Sequence, residues 1–260
     1  SIKMTVISPF KPKNLIAIAC IALTSMVFQS CKSDAERGFG PYTITVENDS
    51  LLDGVRGFIT KQKMGQKTIV DSAIVAQNKL IFTGHCDSIQ LAALEINGVR
   101  GRFPTIIVPG STYIALNKDT ISESVLSGNK VNEDFMRYKM DTQANSAQMR
   151  AISMVMREAR ATENTAAIDS LITVYQEGVN TIREYPYDFI LKNTDSDLSL
   201  LMLDEMLAGK TNPAMLEKIK SCYEGLLAII GKNEINKRRG ERIKSAIALM
   251  ENTDTGLYNQ

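Results

Sequence analysis

Hydrophobic period changes once along this chain, near residue 130, and that change sets its architecture. From Tyr42 to about Ser127, apolar residues alternate or fall in short runs. The runs predict strands at Tyr42–Glu47, Val55–Lys61, Thr68–Val75, Lys79–Thr83, Ile89–Ile96, Phe103–Val108, Thr112–Leu116 and Glu123–Leu126. Turn residues punctuate them: Asp53-Gly54, Met64-Gly65, Gln77-Asn78, Asn97-Gly98 and Pro109-Gly110. Closely spaced short strands of this kind favour an antiparallel sandwich or barrel. Parallel pairing needs long crossover connections, and no long βα crossover is visible here.

After Asn132 the period is helical. Ile168, Leu171, Ile172, Tyr175, Val179 and Ile182 form one stripe, and Leu216, Ile219, Tyr223, Leu226, Leu227 and Ile230 form another. Asn212 is placed to cap the second, with Pro213 at its first position and Gly231 just past its end. Glu133–Ala161 is rich in methionine, Asp197–Ala208 stops at Gly209, and Glu234–Glu251 turns Ile243, Ala246, Ile247 and Met250 inward. Pro186 is expected to end or kink its helix near Tyr185. No helix is apolar all round, so a membrane bundle is excluded. The fold class is α+β, an N-terminal antiparallel β-sandwich or barrel (42–130) followed by a C-terminal α-helical bundle (131–260).

Ahead of the strands lies a different kind of sequence. Residues 1–33 contain no acid, and Lys11 and Lys13 precede an apolar run of 14 residues, Leu15 to Phe28, interrupted by Thr24 and Ser25. A membrane span needs about 20 apolar residues, so the run is short for one and fits a secretory signal. Ser30 then directly precedes Cys31, as at the processing site of a bacterial lipoprotein. On this reading residues 1–30 are a signal peptide, Cys31 is the lipidated N-terminus and 31–41 is a polar tether. An uncleaved N-terminal anchor is the competing reading. Residues 1–30 hold three lysines and no acid, so cleavage would lower Lys+Arg from 30 to 27 against 29 Asp+Glu. A slightly acidic chain offers no electrostatic case for nucleic-acid binding.

Little in the remainder points to catalysis. His85 is the sole histidine, which excludes a His-based triad or multi-His zinc site within one chain. Cys86 and Cys222 are expected to be separate buried thiols rather than a disulfide, and no Cys-x-x-Cys occurs. Ser127-x-x-Lys130 has the spacing of penicillin-recognising enzymes but lacks their Lys-Thr-Gly element, so a loop is preferred. The basic run Lys237, Arg238, Arg239, Arg242 and Lys244 reads as a solvated helix face, with anionic headgroups as the runner-up. Met136, Met140, Met149, Met154 and Met156 read as core rather than an adaptable binding surface. The pair Asp204/Glu205 reads as solvent-facing. No phosphate loop, cofactor motif or metal-ligand set is apparent.

Several stretches resemble one family. Asp71-Ser72-Ala73-Ile74-Val75 followed by Asn78-Lys79-Leu80-Ile81-Phe82-Thr83-Gly84 is similar to its "D-S-A-x-V … G-x-F-x-F-x-G" segment. Ile107-Val108-Pro109-Gly110-Ser111 resembles its "l-x-P-G", Ser127-Gly128-Asn129-Lys130-Val131-Asn132 its "G-S/N-x-x-N" close, and Phe189 to Ser196 its "F-I-x-x-N-x-x-S" turn. The family is a domain of unknown function found behind lipoprotein signals in Bacteroidetes, usually ahead of a thioredoxin-like (AhpC/TSA or thiol–disulfide oxidoreductase) domain. The likeness covers roughly 42–250, and the acids Asp34 and Glu36 resemble the surface-export signals of such lipoproteins. The resemblance implies an accessory module without known catalytic residues. The expectation is therefore a non-enzymatic, lipid-anchored accessory or binding protein of the cell envelope, held at the outer membrane through Cys31, with a protein partner or a homodimer possible. The N-terminal part of a truncated or split periplasmic thiol–disulfide oxidoreductase is the other reading, and an uncharacterised hydrolase at Ser127 and Lys130 a third.

Overall fold

The computed structural model describes residues 40–257, with side chains described to residue 252. Cys20, Cys31 and the signal and tether segments lie outside the described residues, apart from Gly40 and Pro41 at the tether's end.

Among the described residues eight strands come first: β1 (Gly40–Glu47), β2 (Arg56–Lys63), β3 (Gln66–Ile74), β4 (Lys79–Cys86), β5 (Gln90–Ile96), β6 (Phe103–Ile107), β7 (Gly110–Ala115) and β8 (Val125–Ser127). Each matches a predicted strand within a few residues. The largest differences are at the eighth, where Ile121–Glu123 forms a 3₁₀ turn before a shorter strand, and at the end of the fourth, which runs on to Cys86. The strands make two four-stranded sheets, ordered β4-β1-β7-β8 and β3-β2-β5-β6. Pairing is antiparallel except between β1 and β7, which run parallel with Tyr42 opposite Gly110. The chain reaches that parallel register by passing through the second sheet between β1 and β7, so no helical crossover is needed. Alternation then does the packing. Tyr42, Ile44 and Val46 of β1 point inward, and Ile59, Leu94 and Phe103 from the second sheet meet them in one hydrophobic cluster.

Six helices follow: α1 (Lys130–Ala161), α2 (Thr165–Lys192), α3 (Asp197–Leu207), α4 (Leu216–Gly225), α5 (Leu227–Ile230) and α6 (Glu234–Leu257). Leu198, Leu200, Leu201 and Leu203 of α3 are fully buried, and Ile219, Cys222, Leu226, Ile243 and Met250 close over them. This helical base shares the sheet core, so the α+β architecture is one continuous hydrophobic body.

Two helix boundaries depart from expectation. Pro186 neither ends nor splits α2, which continues to Lys192. Proline removes one backbone donor, but Tyr187, Phe189 and Ile190 just beyond it are buried in the core and hold the last turns helical. Asn212 does precede the next helical segment, yet its side chain makes no cap. Its Nδ2 donates to the Tyr187 hydroxyl at 3.3 Å, and the segment opens as a 3₁₀ turn, Pro213–Met215.

α1 and α2 form an antiparallel hairpin whose outer part leaves the body. Its root is aromatic, with Tyr138 stacked on Tyr185 at 5.6 Å and edge-on to Phe189 at 5.2 Å. At its tip Asn164 caps α2 by accepting from the Ala167 N–H at 3.1 Å. Between Met140 and Pro186 only Met156 and Ala159 are buried.

Candidate functional site

Three polar constellations and one surface stand out; the first two constellations and the surface begin from residues already singled out in the sequence, and the third, at Lys139, does not.

The segment Ser127-Gly128-Asn129-Lys130-Val131-Asn132 is a clasp between sheets and helices. Gly128 has φ +101°, and a Cβ there would meet the Tyr113 ring at 2.7 Å, so glycine is required for the turn out of β8. Asn129 caps α1 by accepting from the Asn132 N–H at 2.9 Å. Asn132 is fully buried, and its amide accepts from the Ile106 N–H at 2.9 Å while donating to the Ile106 carbonyl at 2.9 Å and the Thr112 hydroxyl at 3.2 Å. One side chain thus substitutes for a neighbouring strand at β6. Lys130, meanwhile, faces solvent and pairs with Asp134 at 2.8 Å. Ser127 lies in β8 opposite Tyr113. The structure does not bring Ser127 and Lys130 into a shared pocket.

Arg239 forms the second constellation, and it corrects the reading of the basic run. Its side chain is buried, with Nη2 donating to the Ile89 carbonyl at 2.6 Å and Nε lying 3.7 Å from Asp204. Arg242 completes the group, donating to Asp204 at 3.0 and 2.5 Å. Neither Arg239 nor Asp204 is therefore on a solvated face. Helical periodicity alone could have flagged them, since Arg239 shares the inward face of α6 with Ile243, Ile247 and Met250. Lys237 instead pairs with Glu234 at 2.6 Å on the surface.

Lys139 is the third. Its ammonium lies 3.5 Å from the centre of the Phe103 ring and 5.9 Å from that of Phe135, with no hydrogen-bond partner. Burial pulls it down to about 8. The ring faces compensate part of the desolvation.

The cysteines and the histidine have quiet surroundings. Cys86 and Cys222 are both buried and are not joined to one another, their thiols donating to the carbonyls of Gly40 and Tyr187. Burial pushes the Cys222 thiol up to about 11, the opposite of an activated nucleophile. His85 is exposed at the end of β4, opposite Pro41. Among the described residues no group of three or more His, Cys, Asp or Glu is placed to hold a metal, and no helix is long and apolar enough to cross a membrane.

The hairpin is the remaining surface. Met156 is buried and Met136 partly so, but Met140 is 57% and Met154 68% exposed, so the methionines are not a core stripe. The α2 stripe is likewise uncovered: Ile172, Tyr175 and Val179 are 38%, 37% and 41% exposed. Between the helices is a cleft of about 170 Å³ lined by Asn145, Met149, Ile152, Val174, Gly178 and Thr181. Gly178 permits it, because a Cβ there would come within 2.2 Å of the Met149 sulfur. Small-molecule sites run from about 300 Å³ upward, so this cleft is small for one.

Comparison with known proteins bears on the sheets. The family model of a domain of unknown function (DUF4369) matches residues 42–135. The matched segment covers the sheet region. The match extends through the clasp and ends at Phe135, so Asn129 and Asn132 belong to the segment they fasten to the helices. No curated protein and no solved structure matches the chain.

Proposed function

We propose that this chain is a lipid-anchored accessory protein of the cell envelope that acts by binding rather than by catalysis. One observation carries the reading: the basic start, apolar run and Ser30-Cys31 junction that precede the polar tether and the segment matched by DUF4369. Diacylglycerol on the Cys31 sulfur together with acylation of the new N-terminus would supply the two chains that firm anchoring needs. The anchor and tether would place the sheets and their helical base near the outer membrane, on its periplasmic or its external face. The binding role is supported by where the polar groups go. Asn132 and Arg239 join sheet to helix and Asp204 holds Arg239 and Arg242, while the hairpin keeps apolar side chains in solvent.

Mass spectrometry of the protein purified from a bacterial host tests this directly. The expected mature N-terminus is an acylated Cys31, and Cys31→Ala releases the protein from the membrane fraction. An unmodified Cys31 within an uncleaved chain would overturn the proposal.

A further inference from the structure

The α2 stripe has the spacing of a coiled-coil seam. Ile168, Ile172, Tyr175, Val179 and Ile182 alternate steps of four and three, the pattern that keeps one edge of a helix facing a partner. α1 does not fill that role, because the hairpin's own contact uses the neighbouring edge. Gly178 packs on Met149 there, and Tyr185 stacks on Tyr138. The seam lies beside this contact and leaves Ile172, Tyr175 and Val179 in solvent.

The seam is also self-complementary. Reversed about a point between Tyr175 and Gln176, Ile172 falls level with Val179 and Ile168 within one residue of Ile182. Flanking it on the open side are Asp169, Gln176 and Arg183, one per heptad, all exposed. Asp169 and Arg183 each stand seven residues from Gln176 and carry opposite charges. Arg183 donates to the Asn180 side chain at 2.9 Å. None of the ion pairs among the described residues involves Asp169 or Arg183.

A patch that matches itself under a two-fold rotation is what an isologous dimer requires. We infer that the occupant of the α2 seam is a second copy of this chain, its α2 packed antiparallel with Tyr175 and Gln176 beside the two-fold axis and Asp169 paired to Arg183 of the partner subunit. Both ion pairs form at once by symmetry. The inference concerns α2 alone and does not depend on lipidation of Cys31.

Crosslinking the full chain tests the geometry. Gln176→Cys places a thiol beside the axis, and a short bis-maleimide is expected to convert it to covalent dimer above the background set by the parent's own cysteines. Ser170→Cys, equally exposed on the far side of α2, is expected to stay at background. In the Gln176→Cys chain, Asp169→Arg sets like charges against each other twice and should lower dimer yield about tenfold. Adding Arg183→Asp restores opposite charges and should recover it. Equal crosslinking from Ser170→Cys, background yield from Gln176→Cys, or failure of the charge swap to rescue would each overturn the inference. Circular dichroism of every variant separates a lost interface from a lost fold.

Discussion

Ile44 of β1 and Ile172 of α2 each occupy an apolar stripe set by the local backbone period. Ile44 is buried between the two sheets, and Ile172 lies on the hairpin surface. The difference comes from what surrounds each stripe. In the sheet region every inward residue meets a second sheet or a helix of the base. In the distal hairpin the one neighbour is the other helix, which covers a single edge of α2. Periodicity states which edge of an element is apolar. What covers that edge depends on the rest of the assembly.

Polar residues show the same contrast. In the body, Asn132 and Arg239 are buried and bonded across the boundary between sheet and helices. On the distal part of α2, Asp169, Gln176 and Arg183 remain in water. Substitutions should accordingly be costly in the body and mild on the arm. The largest effect is expected from Asn132→Leu, which strands the Ile106 N–H and carbonyl in the core and should cost about 3 kcal/mol in chemical denaturation. A loss below about 1 kcal/mol would mean that the clasp does not hold β6 to α1.

Arg239→Met comes next. It removes the donor to the Ile89 carbonyl but leaves Arg242 to neutralise Asp204, so about 2 kcal/mol is expected from the same measurement. Adding Arg242→Met should cost more than the two single changes together, because Asp204 is then left without a cation.

Lys139→Met should act in the opposite direction. Below pH 8 the lysine is charged both folded and unfolded, and its buried ammonium carries the full desolvation penalty, offset in part by Phe103. Replacing it should stabilise the fold by about 1 kcal/mol at neutral pH. The folded group gives up its proton near pH 8 and the unfolded one near 10.5. The advantage of Lys139→Met should therefore shrink as pH rises from 8 to 10.5 and be absent above that. An advantage that stays constant across this range would show the ammonium to be well solvated.

The smallest stability effect is expected on the arm. Ile172→Ser with Val179→Ser should shift the unfolding free energy of the dilute protein by about 0.5 kcal/mol or less, as for other surface positions. Thermal melts at low concentration check this, and a large loss would mean that the stripe packs within the chain.

Most of the fold was legible in the sequence. Alternation and short apolar runs located all eight strands, seven of which bury side chains in the core while β3 stays largely exposed, and turn pairs such as Gln77-Asn78 and Asn97-Gly98 marked where they end. The parallel pairing of β1 with β7 was not legible, since the intervening chain passes through another sheet instead of a helix. Pro186 did not end its helix because propensity is local, while the burial of Tyr187 and Ile190 is tertiary. The roles of Asn132, Asp204 and Arg239 were hidden for a related reason: a charged or amide residue looks solvated until the partner that buries it is known. The α2 heptad was legible as a stripe, but its exposure was not, because the pattern is the same whether a chain covers the stripe itself or leaves it to a partner.

Hydrogen exchange of the full chain, followed as protein concentration is raised, tests most directly the contrast between a self-contained body and an arm completed by a second copy. Amides of Ile168–Ile182 are expected to exchange faster than those of β1 and β5 in dilute solution, then to gain protection with concentration while the sheets stay unchanged. Protection of α2 that equals the sheets when dilute, or that does not respond to concentration, would contradict the account.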